Sequence, residues 1–289
     1  MKIIKVGFLI SYDYEYIMIS LPRVYEFVNE IYFAVDINRK TWSGNDFNIP
    51  EEFWKWVASF DRENKINIYE DNFFVPELSI IDCDTRERNM LSQYMGKCDW
   101  YIQIDSDEYF LDFGAFINKL RVLETALPVT VRCTVATLFK QLDSGFLVVN
   151  KSHETLCFAT NYPKYDMARD NTSGNQTLIW DDLVLHQSWA RKPEDLRMKL
   201  NSWSHKTDFN TDSYYALWLA ADEDNCYCFH NFHPVVPETW PELIAIRGSI
   251  NEILEGGQLR QFVRLKIYKR KNYFSRTWKK LRKIVSGVK

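Results

Sequence analysis

The residues best suited to chemistry end the run Trp100-Tyr-Ile-Gln-Ile-Asp105-Ser-Asp107-Glu108-Tyr-Phe. An apolar, strand-like segment stops there in an Asp-x-Asp-Glu cluster. Carboxylates so closely spaced are hard oxygen ligands that suit Mg2+ or Mn2+, and such an ion would in turn bind a diphosphate. Taken alone, the tetrapeptide is equally well a solvated acidic turn after a strand.

The elements that must position this cluster follow a regular rhythm. Lys2 to Ile10 is β-rich, Pro22 to Val28 has helical spacing, and Ile31 to Asp36 is again apolar and β-prone. Pro50 to Phe60 reads as a helix, with two glutamates near its start and Phe53, Trp56, Val57 and Phe60 on one face. Ile66 to Tyr69 is a short strand, Thr85 to Met95 a helix with Asp82 or Asp84 as its cap, and Trp100 to Ile104 a buried strand. Such β-α-β alternation predicts a mostly parallel sheet with helices on its faces, and ligands bind beyond the carboxyl ends of such strands. After Glu108 the pattern changes. Phe113 to Leu123 is helical, and Val129 to Phe139 and Gly145 to Asn150 are spaced as antiparallel strands. A loop-rich stretch from Asn161 to Thr177 follows, then helical segments near Pro193 to Ser204, Tyr214 to Ala221 and Pro241 to Leu254.

Just upstream of the acidic strand lies Thr85-Arg86-Glu87-Arg88-Asn89-Met90-Leu91. With it the chain resembles the family 2 glycosyltransferases of GT-A fold, in which an Arg-Asn pair on a helix precedes a strand ending in an Asp-x-Asp metal motif. The resemblance implies that Asp105 contacts the nucleotide ribose or the metal and that Asp107 ligates the metal holding a sugar-nucleotide diphosphate. It extends to the ends of the first two strands, where Asp13 and Asp36 would contact the nucleotide, and to Arg88 and Asn89 themselves. A second block, Leu183-Val-Leu-His186-Gln-Ser-Trp189-Ala-Arg191 with Lys199 and Asn201 beyond it, looks like the later part of small bacterial members. By that likeness His186 is a further metal ligand or diphosphate contact, with Arg191 or Lys199 near the phosphates. A neutral imidazole can complete a metal shell, and cations offset charge on a leaving diphosphate; on its own His186 reads as a hydrogen-bonded core histidine. An inverting transfer also needs a base near the acceptor hydroxyl. Asp166, Asp170, Asp181 and Asp182 lie where the family tends to supply one, with Asp182 and Asp170 as the leading candidates, although the family's usual acidic motif is not matched.

Composition bounds the reading. The chain has 289 residues, 46% hydrophobic and 26% charged, the proportions of a globular protein. No apolar run approaches the ~20 residues that span a bilayer, and Val6 to Ile10 runs straight into Ser11-Tyr-Asp-Tyr-Glu15, so no signal peptide is expected. Six cysteines are too sparse for a disulfide scaffold. Cys226-Tyr-Cys228-Phe-His230-Asn-Phe-His233 holds four soft-metal ligands, but the spacing suits packing on a strand better than zinc. Of the ten tryptophans, Trp189, Trp203 or Trp240 are candidates to stack on an acceptor sugar.

The net charge of -3 hides an asymmetry. From Leu259 onward there are twelve Lys and Arg and no Asp or Glu, which leaves 24 basic against 39 acidic residues on the body. Phe274, Trp278, Leu281 and Val285 form one helical stripe among these cations, the pattern of a helix lying in an anionic membrane interface. A solvated basic helix packed on the acidic body, or a disordered tail, is the plainer alternative. The acidic body argues against nucleic acid.

The expectation is therefore an α/β, GT-A-like fold, with a mostly parallel central sheet flanked by helices, a smaller acceptor-side region and a C-terminal basic helix. Residues 1–110 form the nucleotide-sugar half, 111–258 the acceptor half of the same fold, and 259–289 the basic segment. The expected activity is transfer of a sugar from a nucleotide-diphosphate donor, a UDP-sugar by preference, to a saccharide or lipid-linked saccharide, with Mn2+ or Mg2+ as cofactor. The expected location is cytoplasmic, against the inner face of the membrane. Its rivals are a non-catalytic carbohydrate-binding protein on the same fold and another nucleotide-using enzyme such as a nucleotidyltransferase. The nucleotidyltransferase reading lacks the Gly-rich phosphate loop it needs after the first strand.

Overall fold

The computed structural model describes residues 2–172, 174–202, 208–256 and 259. The chain begins with β1 (Ile4–Ile10), buried along its whole length as a strand covered on both faces must be. Then come α1 (Ile17–Val24), β2 (Glu30–Asp36), α2 (Glu51–Phe60), β3 (Ile66–Asp71), α3 (Ile80–Tyr94) and β4 (Trp100–Asp105). β1 pairs in parallel with β2 and β4, and β2 with β3. The resulting order β3-β2-β1-β4 sends all four carboxyl ends to one edge, which gathers Ser11 to Asp13, Asp36 and Asp105 to Asp107 there.

The second half contains β5 (Glu108–Phe110), α4 (Phe113–Val122), β6 (Val129–Leu142), β7 (Gly145–Asn150), β8 (Thr155–Thr160) and β9 (Gln176–His186). It closes with α5 (Pro193–Ser202), α6 (Thr211–Ala220), β10 (Glu242–Arg247) and α7 (Ile250–Glu255). β8 pairs antiparallel with β4 and with β6, so the sheet continues across residue 110 in the order β10-β7-β6-β8-β4-β1-β2-β3. β9 runs parallel to β6 and antiparallel to β5, with His186 opposite both Thr137 and Glu108. That register brings a residue eighty positions downstream beside the acidic cluster.

Packing divides between the two faces. Phe8, Phe33, Ile102 and Val131 meet α1, α2 and α4 through Leu21, Phe53 and Phe116. On the other face Leu9 and Ala34 meet α3 through Leu91 and Met95. A third cluster, around Phe139, Trp189, Trp218 and Trp240, joins β6 and β7 to α5 and α6.

Several elements differ from their expected bounds. The first helix starts at Ile17 rather than Pro22, because Ile17, Leu21 and Val24 already form its buried stripe; Pro22 sits inside it and residues 25–27 make a tight 3-10 turn. α3 begins at Ile80, not Thr85, and is capped by the Ser79 side chain, which accepts from the Asp82 N–H at 3.2 Å, not by Asp82 or Asp84. The segment expected to be one helix from Pro241 to Leu254 is β10 followed by α7. Leu243 and Ile246 are buried on opposite faces of a strand paired with β7, and Gly248 at φ +113° turns the chain into the Ser249–Glu252 capping box. Cys226 to Cys228 is a 3-10 turn rather than a strand. Strand β8 had no sequence signal that set it apart. Residues 260–289, with the basic stripe, and Trp203 lie outside the described residues. No described helix is long and apolar enough to cross a membrane.

Candidate active site

A cleft of about 320 Å3 opens at the carboxyl edge of the parallel strands, where doubly wound sheets bind ligands. Its floor is the turn after β4. Asp105, Ser106 and Asp107 line it, together with His186 from the end of β9, Arg191 from the following turn and Lys199 from α5.

Asp107 is the centre of the electrostatics. Its side chain is 4% exposed, and its Oδ2 receives Arg191 Nη2 and, at 3.3 Å, Lys199 Nζ. Its Oδ1 faces His186 Nε2 at 3.6 Å. Burial opposes the carboxylate, but Lys199, His186 and Arg191 together outweigh it and hold the carboxyl well below the usual range. Burial pushes His186 the other way, below the ordinary imidazole value, so the neutral ring is favoured. His186 Nδ1 and Arg191 Nη1 are buried nitrogens without a hydrogen-bond partner. Arg191 also bonds Asp13 Oδ2 at 3.0 Å and lies over the rings of Tyr16 and Tyr12, 4.9 Å and 5.8 Å from their centroids. A buried cation of this kind persists because carboxylates pair with it and aromatic faces lie against it.

Asp105 is more open, with a third of its side chain exposed. Arg88 reaches it from α3 at 2.9 Å while also bonding Asp84, one helical turn earlier, at 2.6 Å. Glu108 differs from both aspartates. It is fully buried, accepts from the Asp105 N–H at 2.8 Å and from Arg169 Nη1 at 2.6 Å, and so braces the turn from beneath. Burial raises its carboxyl to about 7, with Arg169 opposing the rise.

Another wall comes from β1, β2 and the loop after β2. Asp36 lines it, but all its acceptor capacity goes to the backbone: Oδ1 takes the N–H groups of Asn38 and Lys40, and Oδ2 those of Phe73 and Phe74, at 2.9 to 3.1 Å. Asp36 therefore shapes the loop rather than offering a free carboxylate. One partly exposed aromatic ring here is that of Trp42, whose indole N–H donates to Glu87 at 2.5 Å. Burial first, then the nearby charges of Asp84 and Asp36, push Glu87 up to about 8 against the lowering effects of Trp42 and Arg88.

Of the residues singled out in the sequence, Asp13, Asp36, Arg88, Asp105, Asp107, His186, Arg191 and Lys199 line the one cleft. Asn89 does not. Its amide and carbonyl oxygen bond the backbone of Thr85 and Tyr165, tying α3 to the loop after β8. Neither Asp182 nor Asp170, the leading candidates for the base, lines the cleft. Asp182 is held by Lys119 of α4 at 2.8 Å, and Asp170 by Arg132 and the Cys157 thiol. Asp181 also bonds Lys119 at 3.0 Å, and Asp166 caps the Thr172 N–H at 2.8 Å. Trp189 and Trp240 reach the cleft but are 3% and 2% exposed, so they wall it with their edges and offer no open face for stacking. Cys226 is buried, Cys228 exposed, and no group of three or more His, Cys, Asp or Glu is placed to hold a metal among the described residues. Sequence reasoning missed Trp42, Glu87, Glu154 and His233, all of which line the cleft. Glu87 and His233 stand inside runs singled out for other residues, Trp42 and Glu154 have no motif around them, and only the sheet topology brings the four together.

No known family profile matches the sequence, and no curated protein does. Among solved structures, S. aureus TarS (residues 1–349) is similar at 14% identity and a TM-score of 0.28, over 50% of this chain and 37% of that one. The inositol-1-phosphate CTP transferase from T. maritima is similar at 12% identity and a TM-score of 0.36, over 76% and 96% of the two chains. HddC from Yersinia pseudotuberculosis, complexed with GMP-PN, follows at 16% identity and a TM-score of 0.34, over 64% and 93%. The chain thus spans well under half of the TarS length it is compared with.

Proposed function

We propose that the protein is a glycosyltransferase that moves a sugar from a nucleotide-diphosphate donor to a saccharide or lipid-linked saccharide. One observation carries the reading: Asp105, Asp107, His186, Arg191 and Lys199 meet at the floor of a nucleoside-sized cleft on the carboxyl edge of parallel strands. Trp42 offers a partly exposed ring at the nucleotide end, and the cations of Arg191 and Lys199 stand where a diphosphate would develop charge on leaving.

The cleft's charge favours a divalent cation. Seven carboxylates (Asp13, Asp36, Asp84, Glu87, Asp105, Asp107, Glu154) and four cations (Lys40, Arg88, Arg191, Lys199) line it. The excess of acid remains even with Glu87 protonated, and it would repel a bare diphosphate. The donor set fits Mg2+ or Mn2+ in part. Asp107 Oδ1 is the carboxylate oxygen that Arg191 and Lys199 leave free, and the 3.6 Å to His186 Nε2 is too long for a hydrogen bond. Asp107 and His186 would hold the ion as its two protein ligands, and its other positions would fall to phosphates and water, as is usual for Mg2+. When bound, the ion supplies positive charge to the leaving diphosphate.

The chain's own residues do the rest. Arg191 and Lys199 orient Asp107, Arg88 fixes Asp105, and Glu108 with Arg169 holds the turn that carries both. Inversion at the anomeric carbon is the outcome expected of a single displacement. The basic segment beyond Leu259 would hold the enzyme at an anionic membrane where lipid-linked acceptors reside. Calorimetric titration with UDP, GDP and several of their sugar conjugates, with Mn2+ or with EDTA, tests the binding half of this reading. Affinity for at least one that falls in EDTA is expected, and no affinity for any of them overturns it.

A further inference from the structure

Outside the aspartates at its floor, the cleft has a second wall built by the antiparallel half of the sheet, and its polar group is Glu154, just before β8. Glu154 Oε2 accepts from Thr137 Oγ1 at 2.8 Å and from the Trp240 indole N–H at 3.4 Å. Thr137 is the register partner of His186 on the neighbouring strand. The carboxylate is therefore anchored one strand away from the end of the cleft where the diphosphate would sit, and it is close enough for its charge to act on the His186 ring.

Its pairing separates it from the other carboxylates of the cleft. Asp13 and Asp107 are bound by Arg191, Asp84 and Asp105 by Arg88, and Asp36 is saturated by four backbone N–H groups. A carboxylate so engaged is a poor proton acceptor. Glu87 has no cation bonded to it but is buried under Trp42 at the nucleotide end. Among the described residues, Glu154 combines a place on the opposite wall, two neutral donors that fix one oxygen, and a second oxygen without a protein partner. Beside it are Trp240 and His233, their rings edge to face at 4.5 Å, with His233 Nδ1 accepting from the Val235 and Val236 N–H groups. His233 lines the cleft beside them.

We propose that Glu154 is the general base of the transfer, and that with His233 and Trp240 it forms the subsite for a hydroxyl-bearing saccharide acceptor. This rests on the glycosyltransferase reading above. The acceptor oxygen forms a bond to the anomeric carbon of the donor while its proton passes to Glu154. The bond from that carbon to the phosphate oxygen breaks, and its electron pair leaves on the nucleoside diphosphate. Glu154 then returns the proton to solvent.

The test uses the full chain with Mn2+ and measures nucleoside diphosphate release from UDP- and GDP-sugars, with water or simple alkyl glycosides as acceptor. Glu154→Gln is expected to lower kcat by roughly 10²–10⁴-fold, the usual contribution of a general base, with donor affinity within about twofold of wild type. Azide is an anionic nucleophile that needs no deprotonation. It should raise the rate of Glu154→Ala at least about tenfold and yield a glycosyl azide, which loss of a merely structural carboxylate would not allow. Glu154→Gln turning over at the wild-type rate, or an inactive Glu154→Ala that azide does not restore, overturns the assignment. Wild-type protein that binds a donor but never releases nucleotide, with or without azide, also counts against it. Wild-type protein that binds no donor at all overturns the functional reading instead.

Discussion

Asp107 Oδ1 and His186 Nε2 face each other at 3.6 Å across the floor of the cleft, while Arg191 and Lys199 occupy the other carboxylate oxygen. The pair is set by strand register, since β5 lays Glu108 directly opposite His186. Two such ligands with open positions around them should bind Mn2+ weakly alone and more tightly with a nucleoside diphosphate present, because the phosphates complete the shell. Mn2+ titration followed by electron paramagnetic resonance, with and without UDP, checks this. His186→Ala should weaken the UDP-bound Mn2+ by about tenfold or more, and an unchanged affinity would remove His186 from the site.

Arg169 and Glu108 form the buried ion pair that braces the acidic turn. Removing one partner strands the other charge in the interior, so Arg169→Met should cost about 3–5 kcal/mol of stability. Urea unfolding followed by tryptophan fluorescence measures it. A loss below about 1 kcal/mol would mean that the brace is not the source of the turn's rigidity.

Glu87 carries a pH signature. Its folded-state value is raised to about 8 by burial, whereas the unfolded chain titrates near the ordinary glutamate value of about 4.3. Between those values the folded protein keeps a proton that the unfolded chain has lost, so this group's contribution to stability falls as pH rises through the window. Glu87→Gln should flatten the decline in Tm between about pH 5 and 8, and parallel wild-type and variant profiles would contradict the assignment.

The basic segment is tested by flotation with anionic vesicles containing phosphatidylglycerol, using the full chain and one ending at residue 258. Loss of flotation on truncation, and its salt sensitivity, is expected from a surface held by cations. Equal flotation of both forms would remove the membrane contact.

Strands β1, β2 and β4 of the parallel half were legible in the sequence because they are buried on both faces and read as short apolar runs between helical spacings. The acidic cluster was legible for the same reason: it ends one of those runs. Arg191 and Lys199 were found through the block around His186. Much else was not local. Asp170 and Asp182 lie in the stretch before His186 where the family tends to supply its base, yet Arg132 and Lys119, distant in the chain, claim them. Pro241 to Leu254 has an apolar density that serves a helix or a strand, and pairing with β7 decided it. Glu154 precedes a strand that had no signal of its own, so its place in the cleft depends on the whole antiparallel half.

The most direct test of the central claim is nucleoside diphosphate release from a panel of UDP- and GDP-sugars by wild-type protein, Asp107→Asn and the control Asp182→Asn, with Mn2+ or with EDTA. Wild type and Asp182→Asn should release nucleotide from at least one donor in Mn2+ and not in EDTA. Asp107→Asn, folded by its thermal transition, should fall by about 10²-fold or more, the scale of losing a group that stabilises developing charge. Release by Asp107→Asn at the wild-type rate, or release unaffected by EDTA, would contradict the claim.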